Sequence, residues 1–211
     1  MTSLALDLQL VKGAIEILDP RTSKTTTIAF QYNPESMSRD VTPAQLEREE
    51  AGPQFKGAPK ETFKLSVIID ADGLSAKLDG ILPELATLET LIYPQSKDVK
   101  KTADQQKKGN VEVVTGYDAP LILFAWGPKR VVPVTITSLK IEEEAFNRLL
   151  NPIRAKVTLG LEALNYDQVH QKEKAHQLFL TYQKNKEELA SKRTKRKSNQ
   201  VVDFAVAKLR R

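Results

Sequence analysis

Apolar and polar residues alternate with a period of two through the first three quarters of the chain, which commits most of the sequence to half-buried β-strands. Phe63, Leu65, Val67 and Ile69 fall on one side of a strand, while Lys64, Ser66 and Asp70 fall on the other. Val157, Leu159, Leu161 and Ala163 alternate in the same way with Lys156, Thr158, Gly160 and Glu162. The run Val131 to Ile141 is rich in Val, Thr and Ile and is expected to pair antiparallel with the 157–163 strand through a connection spanning Glu142 to Pro152. Val11 to Leu18 and Thr25 to Tyr32 flank Asp19-Pro20-Arg21-Thr22-Ser23-Lys24, a stretch of turn formers, and predict a hairpin. About six or seven strands are expected, giving a mainly β fold.

One segment breaks this alternation. In Ile81 to Tyr93 the apolar positions 81, 85, 88 and 92 follow helical spacing, with Pro83 suited to a first turn and Pro94 just past the end. This helix is expected to cap one end of the β-structure. Gly52 to Lys60, with Pro53, Gly57 and Pro59, and the polar stretch Gln95 to Asn110 read as long mobile loops.

The C-terminal stretch has a different character. Residues 170 to 211 hold 12 Lys+Arg against 4 Asp+Glu, whereas residues 1 to 169 hold 20 against 23, so the formal net charge of +5 belongs to the tail. Val169, Lys172, His176, Phe179, Leu180 and Gln183 lie in a run without Gly or Pro and predict a helix with a narrow apolar face. Lys192-Arg193-Thr194-Lys195-Arg196-Lys197 follows as a cationic cluster, and Val201 to Leu209 could form a short terminal helix. The division expected is a β-domain over 1–167 and a basic, mainly helical extension over 168–211. Such an extension suits docking on an acidic partner, with Phe179, Phe204 and Leu209 as apolar anchors and Lys192, Arg193, Lys195, Arg196 and Lys197 steering.

Several chemistries find little support. The chain has no cysteine, which removes disulfides, thiolate metal sites and thiol nucleophiles. His170 and His176 are six apart, not the helical neighbours that clasp one zinc ion. Glu142-Glu143-Glu144 offers carboxylates, but successive residues point in different directions and such a cluster reads as solvated. Neither a phosphate-binding glycine loop nor a dinucleotide fingerprint is present. No enzyme activity, cofactor, metal or small-molecule substrate is expected. The first ten residues lack a basic start and an unbroken apolar stretch, which argues against a secretory signal, and no apolar run approaches the ~20 residues that span a bilayer. Basic arms without interleaved aromatics give only salt-sensitive affinity for nucleic acid, so a protein partner is preferred to nucleic acid. Trp126 reads either as a strand-end aromatic filling the mouth of a barrel, the favoured option, or as an interface residue.

Four separated blocks then carry a resemblance. Phe30-Gln31-Tyr32-Asn33-Pro34-Glu35-Ser36 with Ser38-Arg39 comes first, followed by Leu123-Phe124-Ala125-Trp126-Gly127. Val134-Thr135-Ile136-Thr137-Ser138-Leu139 with Phe146 is third, and Asn151-Pro152-Ile153-Arg154-Ala155 leading into Val157-Thr158-Leu159 is fourth. In this order they resemble the contractile injection system tube-related family, specifically its LysM-type tube initiators and baseplate-tube adaptors, over roughly residues 10 to 165. The tail lacks the strand-helix-helix-strand pattern of a LysM module, which weakens a cell-wall-binding reading. The resemblance implies a tail-tube-like β-barrel or sandwich forming a hexameric ring between a spike hub and the first layer of inner tube. Its implied partners are further copies of itself, the inner tube protein, the spike or hub protein, and baseplate wedge or sheath proteins. Assembly is expected in the bacterial cytoplasm as part of a particle whose final location stays open. Asn33, Pro34, Trp126 and Arg154 are the interface residues expected in the barrel. Lys156, Thr158 and Glu162 are expected to face a wet lumen while Val157, Leu159 and Leu161 fill the core. The alternative is a module whose basic arm grips nucleic acid, or a tail protein that binds cell wall.

Overall fold

The computed structural model describes residues 12–18, 24–49, 52–73, 78–100, 119–169 and 174–193. The alternating segments form the strands β1 (Ala14–Leu18), β2 (Thr25–Ala29), β3 (Met37–Thr42), β4 (Gln45–Glu49), β5 (Gly52–Lys56), β6 (Lys60–Asp70), β7 (Leu121–Ala125), β8 (Val131–Phe146) and β9 (Pro152–Ala163). Helices α1 (Leu82–Glu89) and α2 (Lys174–Arg193) accompany them among the described residues. Seven strands make one sheet in the order β2-β1-β7-β8-β9-β6-β3, with every pairing antiparallel, and β4 with β5 forms a separate two-stranded ribbon. The mainly β architecture, the β1–β2 hairpin and the β8–β9 pair are as the alternation predicts.

The sheet is rolled. In the strand order β6 and β7 are separated by β9 and β8, which in a flat sheet would place them about 14 Å apart. Yet the rings of Phe63 on β6 and Phe124 on β7 meet with centroids 5.4 Å apart. Both are fully buried, and Phe124 also stacks on Trp126 at 5.9 Å. One hydrophobic cluster fills the roll, drawing Ile15 and Ile17 from β1, Leu65, Val67 and Ile69 from β6, Val132 and Val134 from β8, and Val157, Leu159 and Leu161 from β9. The β6 and β9 residues are those the alternation places on one face.

Helix α1 adds Leu85 and Leu88 to that cluster, preceded by Ile81. It is shorter than the apolar spacing predicts and ends at Glu89. The Thr87 hydroxyl donates to Pro83 O and that of Thr90 to Thr87 O, and the following turn tightens to Ile92 N–Glu89 O at 2.9 Å. The entry to α1 is fixed by Gly80, whose φ of +63° suits glycine and whose missing Cβ would lie 2.0 Å from the Pro152 carbonyl oxygen.

The segment Gly52 to Lys60 is not the loop its glycines and prolines suggest. Residues 52–56 are strand β5, in register with β4 from Gln45↔Lys56 to Glu49↔Gly52. Positive φ at Gly52 and Gly57 bends the chain at each end of the strand, and a two-stranded ribbon has outer positions at which Pro53 needs no ladder donor. Of the Gln95 to Asn110 stretch only residues 95–100 are described, and they begin a helical turn with Asp98 N–Gln95 O at 2.8 Å.

Candidate assembly surfaces

The motif 30–34 works as a clasp across the seam of the roll. β3 pairs with β6 only from Lys60 to Leu65, which leaves the 66–70 half of β6 with no described strand on the side opposite β9. Gln31, just past β2, spans this gap. Its Oε1 accepts from Asp70 N and its Nε2 donates to Asp70 O, both at 2.6 Å, so one side-chain amide reproduces a rung of antiparallel ladder. Phe30 N donates to Gly13 O, and the Asn33 side-chain carbonyl accepts from Gly13 N at 2.9 Å, extending the β1–β2 ladder beyond the strands. Asp70 has a second duty. Its carboxylate takes a two-pronged contact from Arg154 on β9, with Nε at 2.8 Å and Nη2 at 3.2 Å.

Asn33 and Arg154 are therefore engaged within the chain. Trp126 is half-buried, stacked on Phe124 and 6.4 Å from Phe30, where a Cβ on Gly13 would collide with its ring. Its packing matches the barrel-mouth reading. Pro34 lines a shallow depression with Tyr32 and Lys156. Phe179 is 6% exposed, with its ring 6.0 Å from that of Tyr166, so its apolar contact is made inside the chain. Lys192 is exposed and Arg193 is the last residue of α2. Lys195, Arg196, Lys197, Phe204 and Leu209, and with them the expected terminal helix, lie outside the described residues, as does His170.

A charged knot that the alternation does not reveal ties α2 to the sheet. Glu61 on β6 is only 4% exposed and receives Arg39 from β3 together with Tyr182 Oη and Lys186 Nζ from α2, the last two at 2.7 Å each. Burial pushes the Glu61 carboxyl up, but hydrogen bonds from Lys186, Tyr182 and Arg39 outweigh it and hold the group below its usual range. Burial and the same carboxylate keep the Tyr182 phenol protonated far above its usual range. Lys186 also lies over the Tyr182 ring at 4.0 Å. Asn185 and Glu188 add contacts to Lys129 on the turn before β8.

Because the folded Glu61 is more acidic than its unfolded counterpart, its contribution is present above pH 4.5 and is lost as pH falls through the lowered folded value. Glu61→Gln is expected to cost about 1–2 kcal/mol at neutral pH, at the low end for charge-assisted bonds because Arg39 and Lys186 are partly solvated. In melting curves taken against pH, the gap between wild type and variant should close below pH 4.5. A gap that is constant with pH would show that the carboxylate's charge is not what holds α2.

The described surface presents several apolar groups to solvent. Leu149 and Leu150 at the β8–β9 tip are 69% and 80% exposed, and Leu46 and Phe55, directly opposite each other on β4–β5, are 56% and 67% exposed. Among the described residues no group of three His, Asp or Glu side chains could hold a metal ion, and no helix is long and apolar enough to cross a membrane. Glu142, Glu143 and Glu144 are exposed along the outer part of β8, with Glu142 paired to Lys140 at 2.9 Å.

A family model described as contractile injection system tube protein matches residues 9–175, most of the chain and all nine strands. The chain belongs to that family. No curated protein matches it. Membership gives this tube protein a structural role, within a phage-tail-like particle and in assembly with other contractile injection system components. The matched span includes the clasp at Gln31 and Asn33, the Phe63–Phe124 core and Glu61 of the knot, and it ends near the start of α2. Gln31 is the residue that sequence reasoning passed over. It stands inside the most conspicuous motif, but its role rests on a contact with Asp70, 39 residues away.

Proposed function

We propose that this tube protein is a ring-forming subunit at the baseplate end of the tube, six copies joining the spike hub to the first tube layer. In this reading the ring is a structural template without catalysis, and the basic stretch after α2 reaches the baseplate. The observation that carries it is the anchored extension. α2 continues past the family match, is fixed to the sheet through Glu61, and carries Lys192 exposed at its end, immediately before the rest of the cationic cluster in the sequence. Such an arm suits an adaptor, because clustered Lys and Arg speed docking on acidic surfaces.

Truncation after Arg193 tests the proposal. The shortened chain is expected to co-purify with the inner tube protein while its recovery with baseplate proteins drops at least about tenfold, the effect of losing roughly 1.4 kcal/mol of docking energy. Unchanged baseplate recovery would remove the adaptor role. Retention of the full chain on DNA with steep salt dependence, in place of recovery with tube and spike proteins, would favour the nucleic-acid reading.

A further inference from the structure

Two surfaces of the same chain are complementary, and among the described residues neither is covered by another segment. The first is the β8–β9 tip. β8 is 16 residues long, and only its first part, Val131 to Val134, pairs with β7, while β9 pairs with β6 out to Arg154, so the part of the hairpin beyond the sheet is its tip, residues 147–151. The tip is held rigidly. Asn147 Oδ1 accepts from Leu149 N at 2.9 Å and from Asn151 N at 3.0 Å, and the amides of Asn147 and Asn151 both donate to Leu78 O. Leu150 has φ +63°, a conformation that disfavours a leucine and costs of order 1 kcal/mol. The outcome is a stiff knob presenting Arg148, Leu149 and Leu150 to solvent.

The second surface is the seam itself, beyond the Gln31 clasp. Between β2 and β6 lies a cavity of about 350 Å³ reaching inward to Leu88 and Leu159, with Ile28, Val67 and Ile69 along its walls. Its size is near the lower end for ligand sites, which suits a small apolar knob. Its walls are strand edges. Phe30 N points to Gly13, so by antiparallel alternation the backbone groups of Thr27 and Ala29 point away from β1, into the seam. Asp70 N and O point to Gln31, so those of Ile68 point into the seam from the other side. Among the described residues that line the cavity, Glu84 alone is charged.

We infer that the tip of one copy seats in the seam of the next, with Leu149 and Leu150 in the cavity and Arg148 beside Glu84. This rests on the ring reading above and names its contact. The two surfaces are different patches of one subunit, so seated one way the contact is head-to-tail, the kind that closes into a ring, whereas a reciprocal exchange would stop at a dimer and give no covalent species beyond it. The occupant is a second copy because the tip supplies both what the slot lacks, an apolar plug, and the charge opposite to its single carboxylate.

The absence of cysteine makes the test direct. In the full chain carrying both Leu150→Cys and Thr27→Cys, oxidation of assembled rings should give a ladder of covalent multimers, since a disulfide forms only when the two Cα atoms come within about 7 Å. Each single variant should give no ladder. As a second measurement, Arg148→Glu should cut ring yield at least about tenfold, and Arg148→Glu with Glu84→Arg should restore it. Rings that form without a ladder, or that are indifferent to the charge reversal, would overturn this contact and leave the ring reading standing. A wild-type chain that forms no rings, alone or with its inner tube protein, would overturn both.

Discussion

Replacing Phe124 with alanine is expected to cost about 3–5 kcal/mol, among the largest losses any single side chain of this fold can produce. Phe124 is completely buried and touches Phe63 across the roll and Trp126 along the strand, at 5.4 and 5.9 Å between ring centroids. It is therefore the contact through which β6 and β7, not neighbours in the sheet, hold it curled. Removing the ring leaves a cavity at the point where the two halves meet, and the backbone, paired to β1 and β8 on both sides, cannot collapse to fill it. For a chain of this size the midpoint of thermal unfolding should fall by roughly 6–20 °C. Urea unfolding of Phe124→Ala beside wild type measures the loss, and a change below about 1 kcal/mol would mean that the roll is held elsewhere.

The second large effect is expected at the C-terminus. Ending the chain after Arg193 should leave the unfolding transition unmoved, whereas ending it before Lys174 should cost about 4–6 kcal/mol. The estimate counts only the burial of Phe179 and Tyr182, 6% and 3% exposed, at about 2–3 kcal/mol each. It leaves out the further cost of stripping Glu61 of two of its three donors. Calorimetry on the two truncations separates the cases. If the shorter chain melts like the longer one, α2 is an appendage and its contacts contribute nothing to the fold.

These two expectations mark how far the sequence speaks for itself. Strand identity was legible wherever one face meets the core and the other meets water, as at Phe63 to Ile69 and Val157 to Ala163, because a period of two is a local property. The Gly52 to Lys56 strand was not legible, since a solvated ribbon needs no apolar face and its Pro and Gly carry the usual marks of a loop. The C-terminal helix could be read from its composition, but not its attachment. Glu61 looks like one more polar position in an alternating strand, and its partners Tyr182 and Lys186 stand 121 and 125 residues away. The same is true of the surfaces that matter for assembly. Leu149 and Leu150 fall within the expected Glu142 to Pro152 connection, and their exposure follows only from the folded tip that Asn147 holds. The seam is invisible in any one segment, because it is the space left between strands that come together only when the sheet rolls.

The central claim is that this tube protein builds a ring at the base of the tube. Electron microscopy of particles purified from the native host, at side-chain resolution, tests it most directly. The account predicts six copies of this chain in one layer between spike and tube, each barrel in contact with the next and its basic C-terminal stretch turned toward the baseplate. Particles whose spike meets the inner tube without this chain, or a chain present as isolated monomers outside that layer, would contradict it.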